Sequence, residues 1–95
     1  GYNTNNDKFK LLNNGNICQN ETDFNIELSE MECKEMTNKF GFEPMLLNDK
    51  TPSGKCVIKN KNNKDFIFFN NNKNSIEMSN EYKSLCKLNN KPNIK

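Results

Sequence analysis

The sequence predicts an α+β domain: one short helix at about residues 29–40, packed on an antiparallel sheet of four to five short strands and held by two disulfides. Three observations carry this. The stretch LSEMECKEMTNKFG, residues 28–41, has a capped start, an apolar stripe at helical spacing and a glycine stop. Five short apolar runs, separated by turn-forming residues, surround it. Four cysteines sit in a chain of 95 residues that is only 33% hydrophobic. Ordinary domains contain about 45–50% apolar residues with glycine counted, and a domain of this length buries only about 60–65% of its unfolded surface. So polar a chain needs a source of stability besides its core.

Residues 1–7 (GYNTNND) read as a polar tail, and KFKLL (8–12) as the first strand. NNGN (13–16) is a turn built on Asn14-Gly15, the dipeptide that favours tight reversals. QNETDFN (19–25) is a loop. It contains Asn20-Glu21-Thr22, an N-x-[ST] sequon, so Asn20 is the expected glycan acceptor in a secreted chain. The helix follows. Ser29 is its N-cap and Glu32, three residues on, completes a capping box. Leu28 and Cys33 fall at the two positions of a hydrophobic staple, before the cap and at the fourth helical residue. Glu30 and Glu32 suit the positive end of the helix and Lys39 the negative end. Cys33, Met36 and Phe40 form one buried stripe, and Gly41 supplies the left-handed stop.

Beyond the helix, FEPMLL (42–47) reads as a strand that Pro44 confines to a sheet edge. NDKTPSG (48–54) is dense in turn residues. KCVIK (55–59) alternates lysines with Cys56 and Ile58, and NKNNK (60–64) is a turn. DFIFFN (65–70) is the most apolar strand, with Phe66 and Phe68 on one side and Ile67 and Phe69 on the other. NNNKNS (70–75) is a loop, KSLCKL (83–88) a last extended piece, and NNKPNIK (89–95) a polar tail. The single domain therefore spans residues 8–88.

Cys18, Cys33, Cys56 and Cys86 are spaced by 15, 23 and 30 residues, with no histidine in the chain. A structural zinc site usually has at least one close pair of ligands, so the spacing favours two disulfides in an oxidising compartment. Four cysteines allow three pairings. The helix stripe turns Cys33 inward, and alternation turns Cys56 the same way as Ile58, so Cys33–Cys56 would pin helix to sheet. Cys18–Cys86 would then clamp the ends.

This order of elements and cysteines resembles the PAN/apple module. The residues concerned are the helix cysteine in SEMECKEM, the strand cysteine in GKCVIK, and the terminal pair in NICQN and SLCKL. The resemblance implies a helix cradled by a curved antiparallel sheet, and recognition of proteins or glycans through loops and an open sheet face. The string S-x-x-E-C, P-x-G-x-C, F-N and a final cysteine is also similar to cysteine-framed surface repeats of protists, algae and large DNA viruses. The second helix-to-strand bridge common in PAN domains has no counterpart here.

These features bound the function. There is no histidine for general-base work and no Gly-rich phosphate loop after a strand, so the chain is read as non-enzymatic, without cofactor or metal. A net charge of +2 with mixed signs gives no electrostatic case for nucleic acid, and no apolar run of ~18 residues suits membrane insertion. Fourteen lysines without arginine, beside 21 asparagines, match the codon bias of an A/T-rich genome, so most asparagines are read as solvated surface. The expected role is an extracellular, cell-surface or virion-surface module that binds a protein or a glycan. Its candidate interface residues are Phe66, Phe68 and Phe69 with Lys59, Lys61 and Lys64. An alternative is a structural subunit that assembles with copies of itself through its tails and the edge near Pro44. A smaller alternative is a secreted inhibitor presenting the loop 48–54.

Overall fold

The computed structural model describes residues 8–72 and 76–89. The expected N-terminal tail lies outside them, as does the C-terminal tail beyond Asn89. The elements in chain order are β1 (Phe9–Leu11), a 3-10 turn (Cys18–Asn20), β2 (Ile26–Glu27), α1 (Glu30–Phe40), β3 (Glu43–Leu47), β4 (Cys56–Lys61), β5 (Lys64–Phe69) and β6 (Lys83–Lys87). One helix thus packs on one six-stranded sheet, and two disulfides close it.

The helix starts where local chemistry dictates. The Ser29 Oγ accepts the Glu32 N–H at 3.2 Å, and Glu32 Oε1 accepts the Ser29 N–H at 2.9 Å. Two backbone donors at the helix start are satisfied reciprocally. Gly41 ends the helix at φ 77°, a backbone region in which a side chain is strained. Glu32 also receives Lys87 Nζ at 2.5 Å, tying the helix start to β6. Partial burial pushes the Glu32 carboxyl up. The hydrogen bond from Lys87, the Ser29 backbone N–H, the Lys87 charge and the Ser29 hydroxyl outweigh this and hold it below its usual value. A lowered folded-state pKa stabilises above the unfolded value near 4.5, and that contribution fades as pH falls through the folded value. Glu32→Gln should therefore flatten the acid limb of a plot of melting temperature against pH. Ser29→Ala should cost about 1 kcal/mol in a denaturant titration at neutral pH.

The sheet runs β1-β6-β4-β5-β3, with β2 also paired to β6. Cys86 and Lys87 pair with both β1 and β2, so these two strands flank β6 on opposite edges. Val57 and Ile58 of β4 pair with Ser84 and Lys83. β4 and β5 form a hairpin whose turn is Asn62-Asn63, at φ 55° and 65°. Positive φ at both central residues matches the twist of the flanking strands. The strands therefore reach Lys61 and Lys64, and the expected five-residue turn shrinks to two.

Two expectations need correcting. The sheet has six strands rather than four or five, because Ile26–Glu27, between the loop 19–25 and the helix cap, adds to β6. It is also mixed rather than the expected curved antiparallel sheet, since β3 pairs with β5 in parallel. The eight residues 48–55 carry the chain past one strand position before β4 begins, and β5 folds back into the gap. Asn70 holds that crossing loop. It is 1% exposed, and its amide donates to the carbonyls of Thr51 at 2.7 Å and Asp49 at 3.2 Å. β3 does lie at an edge, with an irregularity between Glu43 and Leu46 around Pro44, as a residue lacking its N–H requires.

Strand alternation divides the interior into two clusters. On one face Cys33, Met36 and Phe40 of α1 meet Cys56, Ile58, Ile67, Phe69 and Leu85, with Phe9, Leu28 and Phe42 at the margins. Phe40 stands edge-on to both Phe9 and Phe42 with ring centroids 6.2 Å apart. On the other face Leu12, Cys18 and Cys86 cluster with Phe24. Each cluster contains one disulfide, Cys33–Cys56 in the first and Cys18–Cys86 in the second, with Cα separations of 5.5 and 5.7 Å. β6 serves both, because successive side chains point to opposite faces: Leu85 enters one cluster and Cys86 the other.

Candidate binding face

The helix covers one face of the β4–β5 hairpin and leaves most of the other open. Residues paired across strands share a face, so the register maps this surface. Leu46, Phe68, Val57 and Ser84 form one row across β3, β5, β4 and β6. Glu43, Phe66 and Lys59 form the next row, and Lys64 with Lys61 the last. Val57 and Ser84 are fully covered. The remainder of this surface is partly or wholly exposed, with Leu46 at 46%.

Tyr82, just before β6, completes the surface. Its ring meets Phe68 edge-to-face at 6.3 Å, and Lys59 Nζ lies 5.6 Å from its centroid. Lys59 also pairs with Glu81 at 2.9 Å. The hydrogen bond that Lys59 donates to Glu81, followed by the Glu81 charge, raises the Lys59 pKa against a smaller effect of burial. Leu46, Asn48, Lys59, Lys61, Phe66, Phe68 and Tyr82 line a concavity of about 310 Å³. Its chemistry is that of a contact surface: partly exposed aromatic rings, whose faces and edges pack favourably, bordered by lysines.

Among the residues expected to form an interface, the structure brings Phe66, Phe68, Lys59, Lys61 and Lys64 onto this one face. Phe69 is a correction. It is 7% exposed and packs with Ile67 beneath the helix, because its neighbours in the strand alternate with it. Tyr82, Leu46 and Glu81 join this surface without a local signal in the sequence. Tyr82 follows a stretch without periodicity and reaches Lys59 only because β6 pairs with β4. Asn20 is exposed at the last position of the 3-10 turn, which the Cys18–Cys86 bridge seats beyond Ser84 at the other end of the sheet. The loop 48–54 is exposed at Asn48, Asp49 and Lys50, but Thr51 and Pro52 are buried.

Among the described residues no group of three or more His, Cys, Asp or Glu side chains is arranged to hold a metal. Among them, too, no helix is long and apolar enough to cross a membrane. No protein-family model, curated protein or solved structure matches the chain.

Proposed function

We propose that this chain is a non-catalytic recognition module of an extracellular, cell or particle surface, and that it grips a protein partner with the open face of its sheet. One observation carries the reading: Leu46, Phe66, Phe68 and Tyr82 remain accessible on the side of the hairpin away from the helix, with Lys59, Lys61 and Lys64 beside them. Interfaces between proteins have an aromatic and apolar centre within a polar rim, and a partner with acidic side chains would complement the lysines. Two disulfides in so small a domain are compatible with an oxidising compartment. Under this reading the Cys33–Cys56 bridge between helix and sheet is the counterpart of the helix-to-strand bridge of PAN/apple modules.

The test is saturable binding of the labelled domain to intact cells of the source organism. Binding should disappear when the cells are treated with protease and survive glycosidases. Phe66→Ala with Phe68→Ala should weaken it at least tenfold. Loss to glycosidases alone would instead identify a glycan ligand, and equal binding by the face variant would overturn the reading.

A second reading has its own observation. Among the described residues β3 is an edge strand that pairs with β5 alone, and its Leu46 and Leu47 are 46% and 58% exposed. A second copy joining this edge would make the chain a subunit of a coat or fibre. Sedimentation velocity separates the two readings: a concentration-independent monomer removes assembly, and a growing series of oligomers favours it.

A further inference from the structure

We infer that Asn20 is a site of N-linked glycosylation and that its glycan projects from the end of the sheet away from the hairpin tip. The acceptor pattern Asn20-Glu21-Thr22 occurs once in the chain. Asn20 and Thr22 are both exposed, and the backbone leaves the 3-10 turn into an extended conformation at Glu21, with φ −91° and ψ 152°. Among the described residues no hydrogen bond engages the Asn20 side-chain amide; its backbone N–H donates to Ile17 at 3.1 Å. The amide is available in the folded chain, and a glycan there displaces no packing.

The order of synthesis also keeps the acceptor accessible. Cys18, two residues before Asn20, is bridged to a cysteine 68 residues later. Among the described residues, β1 and β2, on either side of the sequon, pair with β6 alone. None of these partners exists until β6 (Lys83–Lys87) has been synthesised, so Asn20 passes a membrane-bound transferase in unfolded polypeptide. The reaction needs a polyprenyl-diphosphate-linked oligosaccharide as donor. Asn20 Nδ2 forms a bond to the anomeric carbon and gives up a proton, while the bond from that carbon to the diphosphate oxygen breaks and the lipid diphosphate leaves.

The fold sets what the glycan would shield. Cys86, bridged to the 3-10 turn, continues the register that pairs Ser84 with Val57, whereas Lys61 lies four residues beyond Val57 in the opposite direction. Six strand steps at about 3.3 Å put the sequon on the order of 20 Å from the hairpin tip along the strands. A glycan at Asn20 covers the Cys18–Cys86 end and leaves Lys61, Lys64 and Phe66 accessible.

The experiment is secretion of the chain from a eukaryotic cell line, followed by intact mass measurement before and after an amidase that removes N-glycans. The expected result is a gain of one glycan mass, removed by the amidase, absent in Asn20→Gln and in Thr22→Ala, and retained in Thr22→Ser. Secretion of the disulfide-bonded chain without that gain would overturn the inference. So would a glycan that persists in both loss variants. Neither outcome bears on whether the open sheet face binds a partner.

Discussion

Reduction of both disulfides should unfold the domain at room temperature, with loss of its circular-dichroism melting transition. Loop-closure entropy attributes about 3 kcal/mol to Cys33–Cys56, which closes 23 residues, and about 4 kcal/mol to Cys18–Cys86, which closes 68. Small domains have net stabilities of roughly 5–15 kcal/mol, and a chain that is 33% hydrophobic belongs at the low end. The two bridges together therefore match or exceed the net stability. Their loss leaves two small clusters, one of them little more than Leu12, Phe24 and the cysteines themselves. A reduced protein that kept its melting temperature within a few degrees would show that the apolar clusters suffice alone. The argument for an oxidising compartment would lose its physical basis.

The second large effect separates two adjacent residues of β5. Ile67 is fully buried beneath the helix, so Ile67→Ala should cost about 2–5 kcal/mol through lost transfer energy and the cavity left behind. In a domain of this length that corresponds to a drop of about 8–40 °C in melting temperature, at about 4–8 °C per kcal/mol. Phe66, one position earlier, points to the open face and is only partly covered. Phe66→Ala removes a larger side chain yet should cost about 1 kcal/mol or less, in the range of surface substitutions. Equal losses at the two positions would mean that both faces of β5 are packed, and the proposed contact surface would not be free to receive a partner.

The two variants also mark where local reading of the chain ends. The capping box at Ser29 and Glu32, the stripe Cys33-Met36-Phe40 and the stop at Gly41 involve residues no more than a few positions apart. All three are present in the folded helix. The alternation of β5 likewise sorts Phe66 and Phe68 from Ile67 and Phe69. Alternation does not say which pair lies beneath the helix. That depends on where β3 and α1 attach, and a partner 20 or more residues away leaves no local periodic trace. Phe69 was accordingly grouped with the open aromatics although it is core. Ile26–Glu27 is too short to carry a period of two, and its strand exists only because Lys87 and Cys86 offer a free edge.

From its own residues alone, this chain determined a capped helix, a set of short strands and a composition too polar to build a large core, because none of these needs a partner distant in sequence. Only the tertiary structure decided that β3 runs parallel to β5, that Tyr82 joins Phe68 and Lys59, and which side of the hairpin stays open. Those outcomes follow from choices among distant pairings, settled by the loop that Asn70 anchors and by a last strand whose opposite sides serve two separate clusters.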